Sequence, residues 1–332
     1  MNTNMKAIVY TQYGSPDVLH LKEVEKPTPK DDEVLIKVYA ASVNAAESHV
    51  VRADPPLMRL MGYGLLKPNK TIPGAAVAGR VEAVGSNAKQ FKPGDEVYGD
   101  LSFCGLGAFA EYVCANENAL ALKPTNATFE EAAAIPLAAT TALQALRNSG
   151  HIQSGQKVLI NGASGGVGTF AVQIAKAFGA EVTAVCSTSK MDMARSIGAD
   201  HVIDYTKEDF TQNGQCYDLI VSANGYHPIA DYRRALSPNG TYVMSGGAAM
   251  AAMMEAMLLG PWISMRGSKK MGNMLGKPNQ QDLVFLKELV EAGKVKPVID
   301  RCYPLAEVPD ALRYLEEGHA LGKIVITVAQ SN

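Results

Sequence analysis

The sequence predicts an α/β fold that combines a β-rich, mostly antiparallel domain with a doubly wound parallel sheet. Three observations support this prediction. Short strands separated by Gly, Pro, Asn and Asp turns fill the first 125 residues, helices alternate with strands from about residue 129, and a glycine-rich turn joins a strand to a helix within residues 158–180. Because 332 residues exceed what one hydrophobic core usually serves, we expect two domains.

The β-rich part comes first along the chain. We expect its strands in the segments KAIVY, DEVLIKVYAASVN, GRVEAVG, DEVYGD and AFAEYVCA. These segments are rich in β-branched and aromatic residues and are bounded by turn residues, which is typical of antiparallel, barrel-like β structure.

Helices and strands alternate in the middle of the chain. A helix is predicted in FEEAAAIPLAATTALQAL, and it leads to strands at 157–161, 181–186, 201–204, 217–222 and 240–245. Strands that alternate with helices build a parallel sheet covered by helices. We therefore assign residues 128–275 to a parallel-sheet domain.

The end of the chain holds an amphipathic helix at 281–293, a further helix at 308–317 and the strand KIVITV. These closing elements have no partner in the parallel sheet, so we expect them to complete the first domain. Residues 1–127 and 276–332 would then form the β-rich domain, with a ligand cleft between the two domains.

The glycine-rich turn lies in VLINGASGGVG, residues 158–168. Gly165 and Gly166 would let the backbone approach a pyrophosphate, and Gly168 would let the following helix pack closely on the strand. The helix N-terminus would offer N–H groups and a partial positive charge to the phosphates. A glycine run by itself also fits an ordinary tight turn, but strand, turn and helix in this order predict a dinucleotide site of the Rossmann type.

The residues after the next strand indicate which dinucleotide binds. An acidic residue that grips the ribose of NAD is expected about 20 positions after the glycines. After residues 181–186 the chain instead has Ser187, Thr188, Ser189 and Lys190. Hydroxyls and an ammonium suit a 2′-phosphate, so the sequence favours NADPH, with an ordinary polar loop as the alternative.

Composition limits the function classes. The net charge of −2 gives no electrostatic support for binding nucleic acid or an anionic membrane. The most apolar window, 246–266, is interrupted by Glu255, Gly260, Pro261 and Arg266, so we predict no membrane span. The five cysteines are scattered without paired spacing, which favours reduced thiols. The chain opens on a strand-like MNTNMKAIVY instead of a signal peptide, so we expect a cytoplasmic protein.

Several motifs in the same order give the chain a resemblance to a known family. They are MKAIVYTQYGSPDVLHL, VLIKVYAASVN, PGAAVAGRVEAVGSNAKQFKPGDEVYGD, GAFAEYV, AAAIPLAATTAL, the glycine turn, GADHVIDY and GKIVITV. The chain resembles the zinc-free quinone oxidoreductase branch of the medium-chain dehydrogenase/reductases, the group that includes zeta-crystallin. The resemblance implies a GroES-like catalytic domain made of both chain ends, a Rossmann domain between them, and a dimer joined through the Rossmann sheets.

The resemblance also implies roles for individual residues. Asn44 begins the family's Asn-x-x-Asp loop beside the nicotinamide, with Glu47 here as its acidic member, and Tyr63 is in the place of an active-site tyrosine of related enoyl reductases. The catalytic candidates are therefore Asn44 and Tyr63. The cofactor-binding candidates are Asn44, Thr141, Ser164, Gly165, Gly166, Val167, Ser187, Lys190, Tyr205, Asn224, Ser245, Gly246 and Gly247.

The zinc ligands of the alcohol dehydrogenases in this superfamily are replaced. Asn44 stands where a cysteine is expected, Ala75 and Ala76 follow Gly74 in place of a His-Glu pair, and Ala138 marks the later ligand position. Zinc needs three or four converging N, S or O ligands, so we predict no metal. Without a Lewis acid, alcohol oxidation is disfavoured, and quinones or conjugated carbonyls are the expected acceptors.

Two alternatives stay open on the sequence alone. One is an enoyl-thioester reductase or alcohol dehydrogenase of the same fold, and the other is a non-catalytic, NADPH-binding or RNA-associated protein. We also predict a homodimer, because residues 250–268 combine a methionine-rich apolar helix with the strand-like WISMRGS, a surface that is costly to expose. Core packing is the alternative account of that segment.

Overall fold

The computed structural model describes residues 3–61, 63–225, 227–246, 267–274 and 276–329. The chain divides into two compact units. The first unit contains residues 1–137, 278–292 and 299–332, and the second contains residues 138–277 and 293–298. Within the described ranges, no helix combines the length and the apolar character that crossing a lipid bilayer demands.

The secondary structure follows the predicted order of a β-rich part, an alternating part and a closing part. The strands of the described ranges are β1 (Asn4–Val9), β2 (His20–Glu25), β3 (Glu33–Val43), β4 (Ala76–Val84), β5 (Glu96–Asp100), β6 (Tyr112–Asn116), β7 (Leu120–Leu122), β8 (Lys157–Asn161), β9 (Glu181–Cys186), β10 (His201–Asp204), β11 (Tyr217–Ser222), β12 (Leu236–Met244), β13 (Lys270–Asn273), β14 (Ile299–Pro304) and β15 (Lys323–Thr327). The α-helices of these ranges are α1 (Ala45–Arg52), α2 (Phe129–Ala134), α3 (Pro136–Leu143), α4 (Gly166–Ala177), α5 (Met191–Ser196), α6 (Ile229–Ala235), α7 (Gln280–Glu291) and α8 (Val308–Glu316).

The first unit is organised around β3. Its main sheet has the order β14-β15-β3-β4-β5-β7, with β6 also paired to β3. Nearly every residue of β3 is buried, which explains its apolar sequence. The last strand, β15, runs antiparallel to β3 and pairs Ile324 with Val43. This pairing brings the end of the chain beside the residue where β3 leads into α1.

The second unit contains a parallel sheet with the order β10-β9-β8-β11-β12-β13. Strand order reverses at β8, whose neighbours are β9 on one side and β11 on the other. Ligands of open α/β sheets bind at the carboxyl end of the strands at such a reversal. The α/β fold class with a doubly wound parallel sheet is thereby confirmed.

The helix predicted over residues 129–146 is broken in the structure. α2 begins with a capping box in which Thr128 and Glu131 exchange hydrogen bonds of 3.0 and 3.2 Å. It ends before Pro136, which has no N–H to continue the helix and starts α3 instead. α2 packs against β3 and β4, so residues 128–137 lie in the first unit and not in the parallel-sheet unit expected from the sequence. Residues 276–277 and 293–298 were expected in the β-rich domain, but they lie in the second unit.

The apolar segment that underlies the dimer prediction is largely outside the described residues. Of residues 250–268, the structure describes only 267 and 268. β13 follows the segment and pairs in parallel with β12, which extends the sheet by one strand.

Candidate functional site

The glycine turn between β8 and α4 is shaped by close backbone packing. Gly162 has a φ of +79°, and a Cβ on it would lie 2.7 Å from Cβ of Asn224. A Cβ on Gly168 would lie 2.1 Å from the carbonyl oxygen of Gly162. Gly165 differs, because the nearest atom to its would-be Cβ is 3.7 Å away. The first two glycines are therefore needed for packing, whereas Gly165 leaves open space along the backbone.

The open side of this turn is the N-terminus of a long helix. α4 begins at Gly166, and its N-cap residue, Gly165, has no side chain that could cap the free N–H groups. The predicted phosphate-binding residues are brought together here, and all are half-buried: Ser164, Gly165, Gly166 and Val167. Backbone N–H groups without a side-chain cap, the helix dipole and the space left by Gly165 fit a pyrophosphate.

The carboxyl ends of β8, β11 and β12 form the floor next to this turn. The Ser245 N–H donates to the carbonyl of Ser222 at 2.9 Å, and the Asn224 N–H approaches the carbonyl of Asn161 at 3.3 Å. Beneath them, the Asn161 amide donates to the Tyr232 hydroxyl at 2.9 Å. The predicted residues Asn224, Ser245 and Gly246 thus lie at the carboxyl edge of the sheet, and Gly247 lies outside the described residues.

The predicted 2′-phosphate residues lie at the end of β9. Ser187 precedes a short 3-10 turn that contains Lys190, and the Tyr205 N–H donates to the carbonyl of Cys186 at 3.1 Å. The structure adds a carboxylate that counting along the chain missed, because Asp204 ends the neighbouring strand β10 and pairs with Cys186.

The Asp204 carboxylate is tied to its own surroundings. It accepts hydrogen bonds from the hydroxyls of Thr188 and Thr206, and Lys207 lies 3.2 Å away. The Thr188 hydrogen bond, followed by the Thr206 hydrogen bond, holds the pKa of Asp204 well below its usual range. Its negative charge is therefore permanent at neutral pH but partly balanced by Lys207.

The catalytic candidates of the first unit lie where β3 leads into α1. Asn44 caps α1, and its backbone N–H donates to Oε2 of Glu47 at 2.7 Å. The other carboxylate oxygen of Glu47 accepts from the Ala75 N–H at 2.9 Å. Glu47 is only 2% exposed and Asn44 only 6%, so this is a buried polar site in an otherwise apolar region.

Lys323 completes this site and was missed in the sequence. It is 3% exposed, and its Nζ donates to Oδ1 of Asn44 and, at 3.1 Å, to the carbonyl of Val43. The Asn44 Nδ2 donates in turn to the carbonyl of Ser42 at 3.0 Å. We name Asn44, Glu47 and Lys323 the buried triad. The signal in the sequence was the lysine at the start of the apolar strand KIVITV. A lysine buried with such a strand needs a polar partner inside the sheet.

Burial and charge act in opposite directions on the triad. Burial raises the pKa of Glu47 to about 7, while the ammonium of Lys323 and hydrogen bonds from backbone N–H groups oppose the rise. Burial lowers the pKa of Lys323 to about 8, opposed by the carboxylates of Glu47 and Asp100. Asp100 is itself buried and accepts a hydrogen bond from the Ser102 N–H at 2.9 Å.

Tyr63 and Thr141 are placed less tightly. Tyr63 is half-buried against the apolar core of the first unit, and its carbonyl accepts from the Tyr13 hydroxyl at 2.8 Å. Burial, followed by the charge of Glu47, raises the pKa of the Tyr63 phenol, so this ring is within electrostatic reach of the triad. Thr141 lies half-buried in α3 of the second unit.

The described part of the chain holds no group of three or more His, Cys, Asp or Glu side chains that could bind a metal ion. At the predicted ligand positions, Ala75 and Ala76 are buried without donor atoms in their side chains, and the Asn44 oxygen is taken by Lys323. A buried ammonium would also repel a metal cation at this position.

Comparisons with known proteins agree over most of the chain. One family profile, described as "Alcohol dehydrogenase GroES-like domain", matches residues 30–125, and another, described as "Zinc-binding dehydrogenase", matches residues 197–326. A 2-methylene-furan-3-one reductase from Solanum lycopersicum is 39% identical over 98% of this chain and 79% of its own. A chloroplastic NADPH-dependent alkenal/one oxidoreductase from Arabidopsis thaliana is 37% identical over 97% of this chain and 79% of its own. The solved structure of the quinone oxidoreductase from Coxiella burnetii has a TM-score of 0.86 and 29% identity, and the match covers 98% of this chain and 100% of that one.

Proposed function

This chain belongs to the medium-chain dehydrogenase/reductase family, and we propose that it is an NADPH-dependent reductase of quinones and of activated, electron-poor enones. The observation that carries the proposal is the glycine turn, whose open backbone at Gly165 and helix N-terminus with a glycine at the N-cap fit a pyrophosphate. Two of the similar proteins are named as reductases or oxidoreductases of conjugated carbonyl compounds, and one is named as a quinone oxidoreductase.

We assign residues of both units to the parts of NADPH. Ser164, Gly165, Gly166 and Val167 would hold the pyrophosphate. The 2′-phosphate would be held by Ser187, Lys190 and Tyr205, and the nicotinamide half by Asn44, Thr141, Asn224, Ser245, Gly246 and Gly247. NADPH supplies the hydride when it is bound, and the chain's residues bind, orient and polarise the reactants.

We propose that the reaction needs no zinc. A zinc site would require three or four converging ligands, and the triad offers an amide whose oxygen is already hydrogen-bonded, next to an ammonium. Without a Lewis acid, the acceptor must spread the incoming charge over its own conjugated system. Quinones and electron-poor enones can do so. The localised charge of an alkoxide, which forms when a simple alcohol is oxidised, would not be stabilised at a site without a Lewis acid.

The source of the proton separates the candidate substrates. A reduced quinone can take its protons from water, but an unactivated enoyl thioester needs a positioned donor, which contributes about 10²–10⁴-fold. Tyr63 is the donor candidate near the triad, and its phenol carries a proton at neutral pH, since burial moves a pKa that is already near 10 further up. The proposal therefore ranks quinones and electron-poor enones above enoyl thioesters.

We also propose a homodimer and a cytoplasmic location. The dimer is supported by the long methionine-rich apolar segment at 250–268, which suits a subunit contact. The location is supported by the cysteines, all of which are free thiols. Light scattering at micromolar concentration tests the dimer, and a monomer mass would overturn it.

The function is tested by steady-state turnover of NADPH with one quinone, one electron-poor enone and one enoyl thioester. We expect the quinone and the enone to give the higher kcat/KM. If the enoyl thioester is the best substrate and Tyr63→Phe abolishes its reduction, the enoyl reductase alternative replaces this proposal. If NADPH binds but no acceptor is reduced, a non-catalytic role replaces it.

A further inference from the structure

We infer that Lys323 is a positioning residue for Asn44: its ammonium orients and polarises the Asn44 amide, so that the amide presents an N–H donor to the oxygen of the hydride acceptor. This inference rests on the proposed function, in which Asn44 lies beside the nicotinamide, where the acceptor receives hydride. It goes beyond that function by assigning a role to a lysine 279 residues away in the chain.

The orientation of the Asn44 amide is fixed at both ends. Oδ1 accepts from Nζ of Lys323, and Nδ2 donates to the carbonyl of Ser42 at 3.0 Å. An ammonium can only donate and a carbonyl can only accept, so a flipped amide would place donor against donor and acceptor against acceptor. Nδ2 carries two hydrogens and Ser42 takes one of them, so the second can serve a ligand.

The ammonium is itself held in place. Its Nζ donates to the carbonyl of Val43 at 3.1 Å, and the carboxylates of Glu47 and Asp100 attract it. Glu47 cannot easily turn away, because its two oxygens are anchored by backbone N–H groups at 2.7 and 2.9 Å. Since separating buried opposite charges would leave each one uncompensated, the triad keeps a single arrangement.

A cation at one end of an amide strengthens the donor at the other end. Hydrogen bonds to charged groups are stronger than neutral ones, and linked hydrogen bonds polarise one another in a low-dielectric site. The second Nδ2 hydrogen of Asn44 therefore becomes a better donor while Lys323 holds Oδ1. Such a preorganised donor contributes most where negative charge develops during the reaction, as it does on the oxygen of a quinone or enone that receives hydride.

The first experiment compares four proteins: wild type, Lys323→Met, Asn44→Ala and the double variant. Removing a donor that stabilises a developing oxyanion typically costs about 10²–10³-fold in kcat. We expect Asn44→Ala to lose about a hundredfold in kcat, and Lys323→Met about tenfold, with KM changed less than about threefold. In the Asn44→Ala background, Lys323→Met should change kcat by less than about twofold, because its target is gone.

Lys123→Met is the matched control. Lys123 is also a buried lysine of the first unit, and it donates to the carbonyls of Pro124 and Ala127 at 3.1 and 2.6 Å, away from Asn44. We expect this variant to lose thermal stability in the same way as Lys323→Met but to keep the wild-type kcat. If Lys123→Met lowers kcat as much as Lys323→Met does, the loss reflects general destabilisation, and the inference is wrong.

The second experiment does not depend on turnover. In protein labelled with ¹⁵N-asparagine, the Asn44 side-chain amide is identified by its absence in Asn44→Ala, and its hydrogen exchange is compared with that of exposed Asn87. We expect at least about tenfold slower exchange for Asn44 in the wild type, and loss of that protection in Lys323→Met.

The outcomes separate the two proposals. Additive effects on kcat in the double variant, or equal exchange at Asn44 and Asn87 in the wild type, would overturn the inference. The wild-type measurement stands even if Lys323→Met does not fold. If the wild type reduces no acceptor, the proposed function is wrong, and so is the catalytic part of the inference. The exchange data would still decide whether Lys323 orients Asn44.

Discussion

Two glycines of the same turn provide a sharp test of the nucleotide site, because the structure gives them different surroundings. Gly165→Ala adds a Cβ whose nearest neighbour is 3.7 Å away, whereas Gly168→Ala adds one 2.1 Å from the Gly162 carbonyl oxygen and 2.7 Å from Cα of Ala163. The first substitution fills space that the chain itself leaves open. The second forces backbone atoms apart.

The expected stabilities follow from these distances. For Gly165→Ala, the loss of a glycine at the cap costs roughly 0.5–1 kcal/mol, and the reduced entropy of the unfolded chain returns about 0.4–1 kcal/mol. The net change is close to zero. For Gly168→Ala, overpacking against backbone costs about 1–3 kcal/mol, and the better helix propensity of alanine offsets only about 1 kcal/mol of it. We expect Gly168→Ala to lower Tm by a few degrees, at roughly 2–4 °C per kcal/mol.

The effect of Gly165→Ala should appear in NADPH affinity instead of stability. Its methyl group would enter the open space beside the turn, which we propose for the pyrophosphate, so we expect Kd to rise at least about tenfold, equivalent to about 1.4 kcal/mol. The assays are thermal unfolding without cofactor and fluorescence titration with NADPH. If Gly165→Ala keeps wild-type stability and also binds NADPH as tightly as the wild type, the turn is not the pyrophosphate site.

Three further predictions address the rest of the proposal. Lys190→Ala should weaken NADPH binding by about ten- to a hundredfold and leave NADH binding nearly unchanged. The control is Lys157→Ala, because Lys157 lies at the amino end of β8, at the other end of the parallel strands. Equal binding of NADPH and NADH by the wild type would contradict the assignment of the 2′-phosphate site. Tyr63→Phe should leave quinone turnover nearly intact and lower enone turnover more, measured as kcat/KM; a larger loss with the quinone would argue against Tyr63 as proton donor. Elemental analysis should find no stoichiometric zinc, and activity should survive chelation; activity that is lost on chelation and restored by zinc would refute the metal-free mechanism.

The parts of the protein that the sequence predicted are those encoded locally. The glycine turn lies within eleven consecutive residues, and its strand, turn and helix follow from the pattern alone. The parallel strands β8 to β12 were likewise predicted, because each contains a short apolar run bounded by polar or turn residues, whereas β13 (Lys270–Asn273) was not. The break between α2 and α3 also had a local signal in Pro136, which the apolar periodicity of the segment obscured.

The features that the sequence did not reveal depend on strand pairing. Lys323 meets Asn44 only because β15 runs antiparallel to β3, and Asp204 meets Thr188 only because β10 lies beside β9. Neither neighbour can be found by counting along one segment. In both cases the missed residue carries a charge at the first or last position of a strand, and pairing with the neighbouring strand places that charge beside a distant part of the chain.

The chemistry of the buried triad limits what this protein can reduce. An ammonium that acts through an amide strengthens one hydrogen bond, but it offers no open coordination position to stabilise a localised alkoxide. The carboxylate of Glu47 lies in the same site and opposes part of the positive charge. An acceptor must therefore delocalise most of the incoming negative charge itself, and it needs only one well-placed donor at its oxygen. Quinones and electron-poor enones meet this requirement, and unactivated carbonyls do not, so we expect turnover in this protein to rise with the electron affinity of the acceptor.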